Sequence, residues 1–296
     1  MRFTLPGLKN ISVVLSAVLL LGFGCLNPLS AAAQIAKPRT FGDAAYQPKM
    51  GQVGKDVIWV PTSDAVAAMM LQAAAVTPDD LVYDLGAGDG KISIAAARDF
   101  GARSVGIEYN PELTELARRN IERAGVADKV RMIHGDIFKE NFSEASVVTL
   151  YLLPDLNLQL RPTLLKMKPG TRIVANSINM GDWEPDRVLG SDEQDRAYFW
   201  VVPAYVAGTW NIKGMEASRD ATVEIVQHYQ KVGGTLTLYG KKQTILGAKL
   251  VGNHLSFSFL DHSDQLRVLD MTFDGRSMSG HVMENLPLYP VTANRN

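Results

Sequence analysis

The sequence contains a single cysteine among its 296 residues, and this lack of thiols excludes several kinds of chemistry. Cys25 lies in an N-terminal segment that we expect to be removed, so the mature chain has no residue for a disulfide, a thiolate metal ligand or a cysteine nucleophile. The five histidines lack the paired spacing that is typical of metal ligands. We therefore predict no metal.

An excess of charge of one sign is also absent. The chain has 30 basic and 31 acidic residues, with a formal net charge of -1. A protein that binds nucleic acid through electrostatics usually has a basic surface, and this composition offers none. We predict no nucleic-acid partner.

Only the N-terminus has a long uncharged run. Arg2 and Lys9 precede residues 10–36, which include no charged side chain. The apolar core at 11–25 has the length of a signal-peptide core and is short for a membrane span, and three alanines follow it. We predict a cleaved signal peptide over residues 1–33 and export to the periplasm or cell envelope. An uncleaved anchor is the alternative, and it also places the body outside the cytoplasm.

Residues 34–57 are predicted to be a linker without a function of their own, and residues 58–203 a domain of alternating strands and helices. This alternation predicts a parallel sheet with helices on both faces, closed by an antiparallel hairpin. The fold class is therefore α/β, with a doubly wound, seven-stranded, mostly parallel sheet. Strands are predicted at 81–84, 104–108, 130–134, 146–152, 172–175, 183–189 and 197–202, and helices at 65–75, 91–100, 111–124 and 156–167.

Residues 204–296 have short alternating apolar runs broken by glycine and asparagine, which predict a small antiparallel β module. The module is either an interaction module for an unknown ligand or a structural cap on the first domain. Strands are predicted at 221–228, 235–239, 255–260 and 266–273, with turns at 233–234, 252–253 and 274–275.

Three glycines, Gly86, Gly88 and Gly90, come directly after a buried strand and directly before a helix. In this context small residues let a ligand approach the backbone closely. Glu108 ends the next strand about 18 residues further on, where a carboxylate can accept hydrogen bonds from both hydroxyls of a ribose. Lys91 stands where a dinucleotide fingerprint requires a third glycine, so the spacing does not favour a dinucleotide.

The charges beside this loop favour a cationic ligand. Asp84 and Asp89 disfavour a pyrophosphate but suit a sulfonium and an ammonium group. At the end of the third strand, Asp136 can accept from the exocyclic amine of adenine while Ile137 or Phe138 covers the ring. These features together predict S-adenosylmethionine as the cofactor.

The same residues carry a family resemblance. Residues 84–91 (DLGAGDGK) and 105–111 (VGIEYNP) resemble those of class I S-adenosylmethionine-dependent methyltransferases. With 59–62 (WVPT) and 183–186 (WEPD), the chain is similar to bacterial relatives of the mitochondrial lysine methyltransferases of ATP synthase c subunit and adenine nucleotide translocase. The resemblance covers roughly residues 58–202. It implies methionine-moiety contacts from Asp84, Gly86 and Gly88, ribose contacts from Glu108, and adenine contacts from Asp136 and Ile137.

Methyl transfer is an in-line displacement, so catalysis depends mainly on alignment of the nucleophile. Tyr151, near the end of the fourth strand, is our candidate catalytic residue for orienting a neutral amine, and the alternative is a tyrosine that only packs in the sheet. Trp59 and Trp183 are expected to be packing or rim residues, and the alternative is that they form the wall of a substrate channel. We expect a methyltransferase that acts on a protein side chain such as lysine, on a membrane-associated target.

The location of the body conflicts with this activity, because S-adenosylmethionine is made in the cytoplasm. The second hypothesis is therefore an exported, non-catalytic binding protein that has a methyltransferase-like fold.

Overall fold

The structure is a computed structural model that describes residues 41–191, 195–216, 219–283 and 289–296. The predicted signal peptide and the first residues of the predicted linker lie outside the described residues. Within these ranges no helix is both long enough and apolar enough to cross a membrane.

The first part of the chain forms the predicted seven-stranded, mostly parallel sheet. Its strand order is β3-β2-β1-β4-β5-β7-β6, and β7 runs antiparallel to both of its neighbours. The elements are α1 (Asp64–Ala73), β1 (Leu81–Leu85), α2 (Lys91–Phe100), β2 (Arg103–Glu108), α3 (Pro111–Ala124), β3 (Val130–His134), β4 (Val147–Leu150), α4 (Pro154–Leu164), β5 (Arg172–Asn176), β6 (Arg187–Leu189) and β7 (Ala197–Val201).

Local sequence explains how these elements begin and end. The Asn110 side chain accepts hydrogen bonds from the N–H groups of Glu112 and Leu113, and Pro111 occupies the first turn, so α3 starts directly after β2. Gly125 ends α3 in the left-handed conformation, with a φ of 68°. The strand β1 is apolar and buried because the sheet has helices on both faces. Because β1, β2, β3 and β4 are parallel neighbours, their carboxyl ends meet at one edge of the sheet.

The second part forms a nine-stranded antiparallel sheet with the order β11-β10-β9-β8-β16-β15-β14-β13-β12. Its strands are β8 (Gly208–Glu216), β9 (Arg219–His228), β10 (Lys231–Leu238), β11 (Lys241–Thr244), β12 (Leu246–Val251), β13 (His254–Leu260), β14 (Leu266–Phe273), β15 (Ser277–Met283) and β16 (Tyr289–Arg295).

This second sheet curls until its two edges approach each other. On the edge strand β11, the Gln243 side chain accepts from the N–H of Leu260 at 2.8 Å and donates to its carbonyl at 2.9 Å, although Leu260 lies on β13. The interior is filled by buried side chains that include Trp210, Phe257 and Phe259. We call residues 208–295 the curled sheet.

The β module lies within the predicted range but contains nine strands where four are predicted, and one predicted turn is wrong. Residues 233–234 lie inside β10 and pair with Val226 and Ile225 of β9. A Cβ on Gly234 would meet the carbonyl oxygen of Glu224 at 2.0 Å. Glycine here permits close approach of the neighbouring strand rather than a turn. The predicted turns at 252–253 and 274–275 are confirmed, since both lie between consecutive strands. The predicted strand at 183–189 is shorter, because β6 begins at Arg187.

The curled sheet packs against the α/β part through the link between β9 and β10. Trp183 is fully buried, its ring stacks on Tyr229 at 6.0 Å, and its Nε1 donates to Oε1 of Gln230 at 3.0 Å. The N–H of Ala204 donates to the carbonyl of Gly252 at 2.7 Å. The α/β part and the curled sheet accordingly belong to one compact unit.

Candidate functional site

A cleft opens at the edge where β1, β2, β3 and β4 end. Its empty space is about 1010 Å³ with the solvent-open mouth included. The cleft brings together every residue that the sequence predicts for the site: Asp84, Gly86, Gly88, Glu108, Asp136, Ile137 and Tyr151.

The glycine loop forms the floor of the cleft. Gly86, Gly88 and Gly90 have φ values of 82°, 56° and 83°, a region that residues with a Cβ adopt only under strain. Added Cβ atoms would also meet close neighbours, at 2.8 Å from Cδ2 of Leu152 for Gly86 and at 2.9 Å from Nε1 of Trp59 for Gly88. The loop therefore exposes bare backbone to the cleft, where a ligand can approach it closely.

Asp84 is the most deeply buried carboxylate of the site, with 3% of its surface exposed. Burial is the largest cause that raises the pKa of Asp84 to about 7, and the nearby carboxylates of Glu108 and Asp89 contribute to the same rise. The hydroxyl of Thr149, on the neighbouring strand β4, donates to Oδ1 of Asp84 at 2.7 Å and acts in the opposite direction. The anion of Asp84 is thus poorly compensated by the protein, and a cationic ligand would compensate it.

Glu108 points into the cleft at the glycine loop. The N–H of Gly88 donates to its Oε2 at 2.8 Å, and the N–H of Asn110 donates to its Oε1 at 2.8 Å. Burial raises the pKa of Glu108, while these backbone donors lower it. Each carboxylate oxygen has a second lone pair, so both oxygens can still accept a hydrogen bond from a ligand hydroxyl.

Asp136 lies on the adjacent wall, directly after β3. Its Oδ1 accepts from the N–H of Phe138 at 3.0 Å and its Oδ2 from Nζ of Lys55 at 3.0 Å. The backbone donor and the Lys55 ammonium lower the pKa of Asp136. Ile137 and Phe138 line the cleft beside it and supply apolar surface.

The side of the cleft at the end of β4 is more apolar. Tyr151 lines it together with Leu152 and Leu156. Among the described residues, no group of three or more histidine, cysteine, aspartate and glutamate side chains is arranged to hold a metal ion.

Sequence reasoning missed the contribution of the segment before the domain. Residues 54–62 line the cleft, although the predicted linker, to which no function is assigned, extends to residue 57. Trp59 is both a packing residue and a wall of the cleft: it contacts Leu113 and Leu116 of α3 and reaches the Gly88 loop. Trp183, in contrast, does not line the cleft. Little periodicity marks residues 41–57, so no local signal indicates their position.

The residues fit S-adenosylmethionine by the chemistry of their donors and acceptors. Asp84, Asp89 and Glu108 provide carboxylates for a cationic group and for ribose hydroxyls, and the two lysines that line the cleft are engaged with Asp64 and Asp136. A pyrophosphate would meet these carboxylates at an unfavourable charge. The floor of positive-φ glycines gives the close backbone approach that the nucleoside and amino-acid parts need.

Comparisons with known proteins agree with this geometry. Residues 84–187 match the family model of the ANTKMT methyltransferase domain. A protein-lysine N-methyltransferase of Saccharolobus islandicus (strain REY15A) is 42% identical over 154 residues, which are 51% of this chain and 94% of the relative. The lysine N-methyltransferase of the ATP synthase c subunit from Mus musculus is 36% identical over 110 residues, 37% of this chain and 44% of that protein. The chain thus spans less than half the length of this mouse relative.

A solved structure of an RNA methyltransferase from Salinibacter ruber in complex with S-adenosyl-L-homocysteine is 49% identical, covers 50% of this chain and 96% of its own chain, and has a TM-score of 0.48. The S. islandicus relative is matched over nearly its whole length, which shows the family. The chain belongs to the protein-lysine N-methyltransferase family of class I S-adenosylmethionine-dependent methyltransferases.

Proposed function

We propose that this enzyme methylates the side-chain amine of lysine in a protein, and that it does so on a membrane-associated target outside the cytoplasm. The observation that carries the acceptor assignment is the continuity of the cleft, which runs from the carboxylates of the cofactor site to Tyr151 and its apolar neighbours. The names of the relatives support lysine, and the uncharged N-terminal segment supports export.

Different residues along the cleft bind different parts of the cofactor in this proposal. In this proposal Asp84, Gly86 and Gly88 hold the methionine part of the cofactor, Glu108 the ribose, and Asp136 and Ile137 the adenine. When bound, S-adenosylmethionine supplies an electrophilic methyl carbon on a sulfonium. The chain must therefore keep the attacking amine neutral and aligned, because an ammonium has no free electron pair.

Tyr151 and Leu152 form the acceptor side in this proposal. Leu153, next to Leu152, is 43% exposed, so the rim presents apolar surface to an incoming protein. Apolar surroundings favour the uncharged form of an amine. The Tyr151 hydroxyl is the polar group that orients the amine.

The first experiment incubates the purified chain and S-adenosylmethionine with envelope proteins from cells that lack the gene, followed by intact-mass spectrometry. We expect mass increases of one or more methylene groups on a small number of proteins, mapped to lysine. RNA from the same cells is tested in parallel. Methylation of RNA without methylation of protein would contradict the proposal, and cofactor binding without any turnover would favour the non-catalytic binding protein.

A second experiment separates the two ends of the cleft. Tyr151→Phe keeps the ring and removes the hydroxyl, and we expect kcat to fall about 10- to 100-fold from misalignment of the amine, with unchanged affinity for S-adenosylhomocysteine. Gly88→Arg is the matched control, since it fills the cofactor end and should abolish binding itself. An unchanged kcat in Tyr151→Phe would remove Tyr151 from the mechanism.

A further inference from the structure

A short hairpin at residues 51–59, which we call the strap, crosses one wall of the cofactor cleft. At its base the N–H of Gly51 donates to the carbonyl of Trp59 at 2.9 Å, and the N–H of Trp59 donates to the carbonyl of Gln52 at 2.9 Å. At its tip Val53 and Ile58 form an antiparallel bridge, and the turn between them is closed by a hydrogen bond from the N–H of Gly54 to the carbonyl of Val57.

The base and the tip of the strap differ in how firmly they are held. Trp59, at the base, is 8% exposed and packs among Leu113, Leu116 and Phe41, with its ring edge-to-face to Phe41 at 5.4 Å. Val53, at the tip, is 85% exposed. Segments with few buried apolar contacts open locally at low free-energy cost, so the tip can move while the base stays in place.

Lys55 ties this exposed tip to the nucleoside end of the cleft. Its Nζ donates to Oδ2 of Asp136 at 3.0 Å and lies 4.9 Å from the centre of the Tyr109 ring, in a cation–π contact. Asp136 and Tyr109 follow β3 and β2 and line the cleft. The tip therefore contacts the ends of two neighbouring strands, which carry the predicted adenine contact Asp136 and, next to Tyr109, the predicted ribose contact Glu108.

We propose that Lys55 is an ionic latch, a positioning residue that holds the strap over the nucleoside end of the cleft and sets the rate at which cofactor and product exchange. The proposal rests on the cofactor site described above. The latch leaves room for adenine, because Asp136 has a lone pair on each oxygen beyond those that accept from Phe138 and Lys55.

An exposed ion pair is weak and is screened by salt, which suits a latch that must open in every catalytic cycle. Removing the Lys55 ammonium should therefore speed release by a small factor rather than abolish binding. Because such pairs contribute little, we expect the loss of the Lys55 ammonium to raise the dissociation rate by only about 2- to 5-fold.

Stopped-flow tryptophan fluorescence measures the rate at which S-adenosylhomocysteine dissociates. Trp59 serves as the probe, since it lies at the base of the strap and lines the cleft. We compare the full chain with Lys55→Met, Lys55→Arg and Lys139→Met. Lys139 is the matched control, because its Nζ lies 4.0 Å from the same Asp136 oxygen but its side chain is 82% exposed and is not part of the strap. All four proteins are measured at low and at high salt.

We expect faster dissociation in Lys55→Met, recovery in Lys55→Arg and no change in Lys139→Met. Salt should speed dissociation from the wild-type protein and have little effect in Lys55→Met. Equal effects of Lys55→Met and Lys139→Met, or a dissociation rate insensitive to Lys55→Met, would overturn the latch. Failure of the wild-type chain to bind S-adenosylhomocysteine in calorimetry would instead overturn the cofactor site, so the two failures are distinguishable.

Discussion

Replacing Asp84 by asparagine is expected to stabilise the cofactor-free protein above neutral pH and to abolish its affinity for S-adenosylmethionine. Burial, the largest cause, raises the pKa of Asp84 from its ordinary 3.8 to about 7. A tenfold change in proton affinity corresponds to about 1.36 kcal/mol. Ionised Asp84 therefore costs the folded state ~4 kcal/mol relative to the unfolded chain at pH above 7.

The direction of the pH dependence follows from this raised pKa. The folded chain binds more protons than the unfolded chain between 3.8 and about 7, so stability falls as the pH rises through that window. Asparagine does not ionise, and its amide oxygen can still accept from the Thr149 hydroxyl. The variant and the wild type should thus be equally stable near the lower end of the window and differ by ~4 kcal/mol above the upper end.

Urea unfolding of the cofactor-free protein across this pH range measures the difference. Asp80→Asn is the control, because its effect on stability should have the opposite pH dependence. Burial raises the pKa of Asp80, but hydrogen bonds from Ser146 and Thr77 and the Arg172 guanidinium outweigh it and lower the pKa. Asp80 therefore stabilises the fold at neutral pH and loses that contribution as the pH falls. A stabilisation by Asp84→Asn that does not change with pH, or a loss of stability above pH 7, would refute the reasoning.

Three further outcomes are expected. The affinity of the wild-type protein for S-adenosylmethionine, measured by calorimetry, should rise with pH through about 7, because the cation binds the ionised form of Asp84. Gly88→Ala should destabilise more than Gly125→Ala in urea unfolding, since both glycines have positive φ but only the Gly88 Cβ would meet Trp59; equal losses would contradict this. Trp183→Phe should cost more in the same assay than the ~0.5–1.5 kcal/mol of its lost hydrogen bond to Gln230, because the smaller ring also leaves a cavity at a fully buried site, and a neutral effect would contradict this.

The α/β sheet could be predicted almost to the residue where local signals are strong. The predicted helices 91–100 and 111–124 and the strand 130–134 have the same bounds in the structure. Capping by Asn110 and the proline after it mark one boundary, and a glycine ends each helix. The helix α4 begins two residues earlier than predicted, because Pro154 is accepted in a first turn, where its missing N–H costs nothing.

The curled sheet was harder to predict, because its strands are short and its register depends on distant partners. β8 pairs with β16, which lies about 80 residues further along the chain, and neither strand is among the four that the sequence predicts. Glycine is also ambiguous here: residues 252–253 form a turn, while residues 233–234 lie within a strand that pairs with β9. Alternation of apolar residues predicts a β module but not its closure.

In the cofactor cleft, too, residues placed by local sequence signals could be predicted and residues placed by distant contacts could not. Asp84, Glu108 and Asp136 could be predicted because each stands at the end of a parallel strand, and such ends necessarily meet at one sheet edge. Lys55 could not, because its contact with Asp136 spans 81 positions and arises from a segment without helical or strand periodicity. Its position depends on Trp59, whose burial against α3 brings the strap to the cleft. The position of Lys55 can therefore be inferred only once the packing of Trp59 against α3 is known.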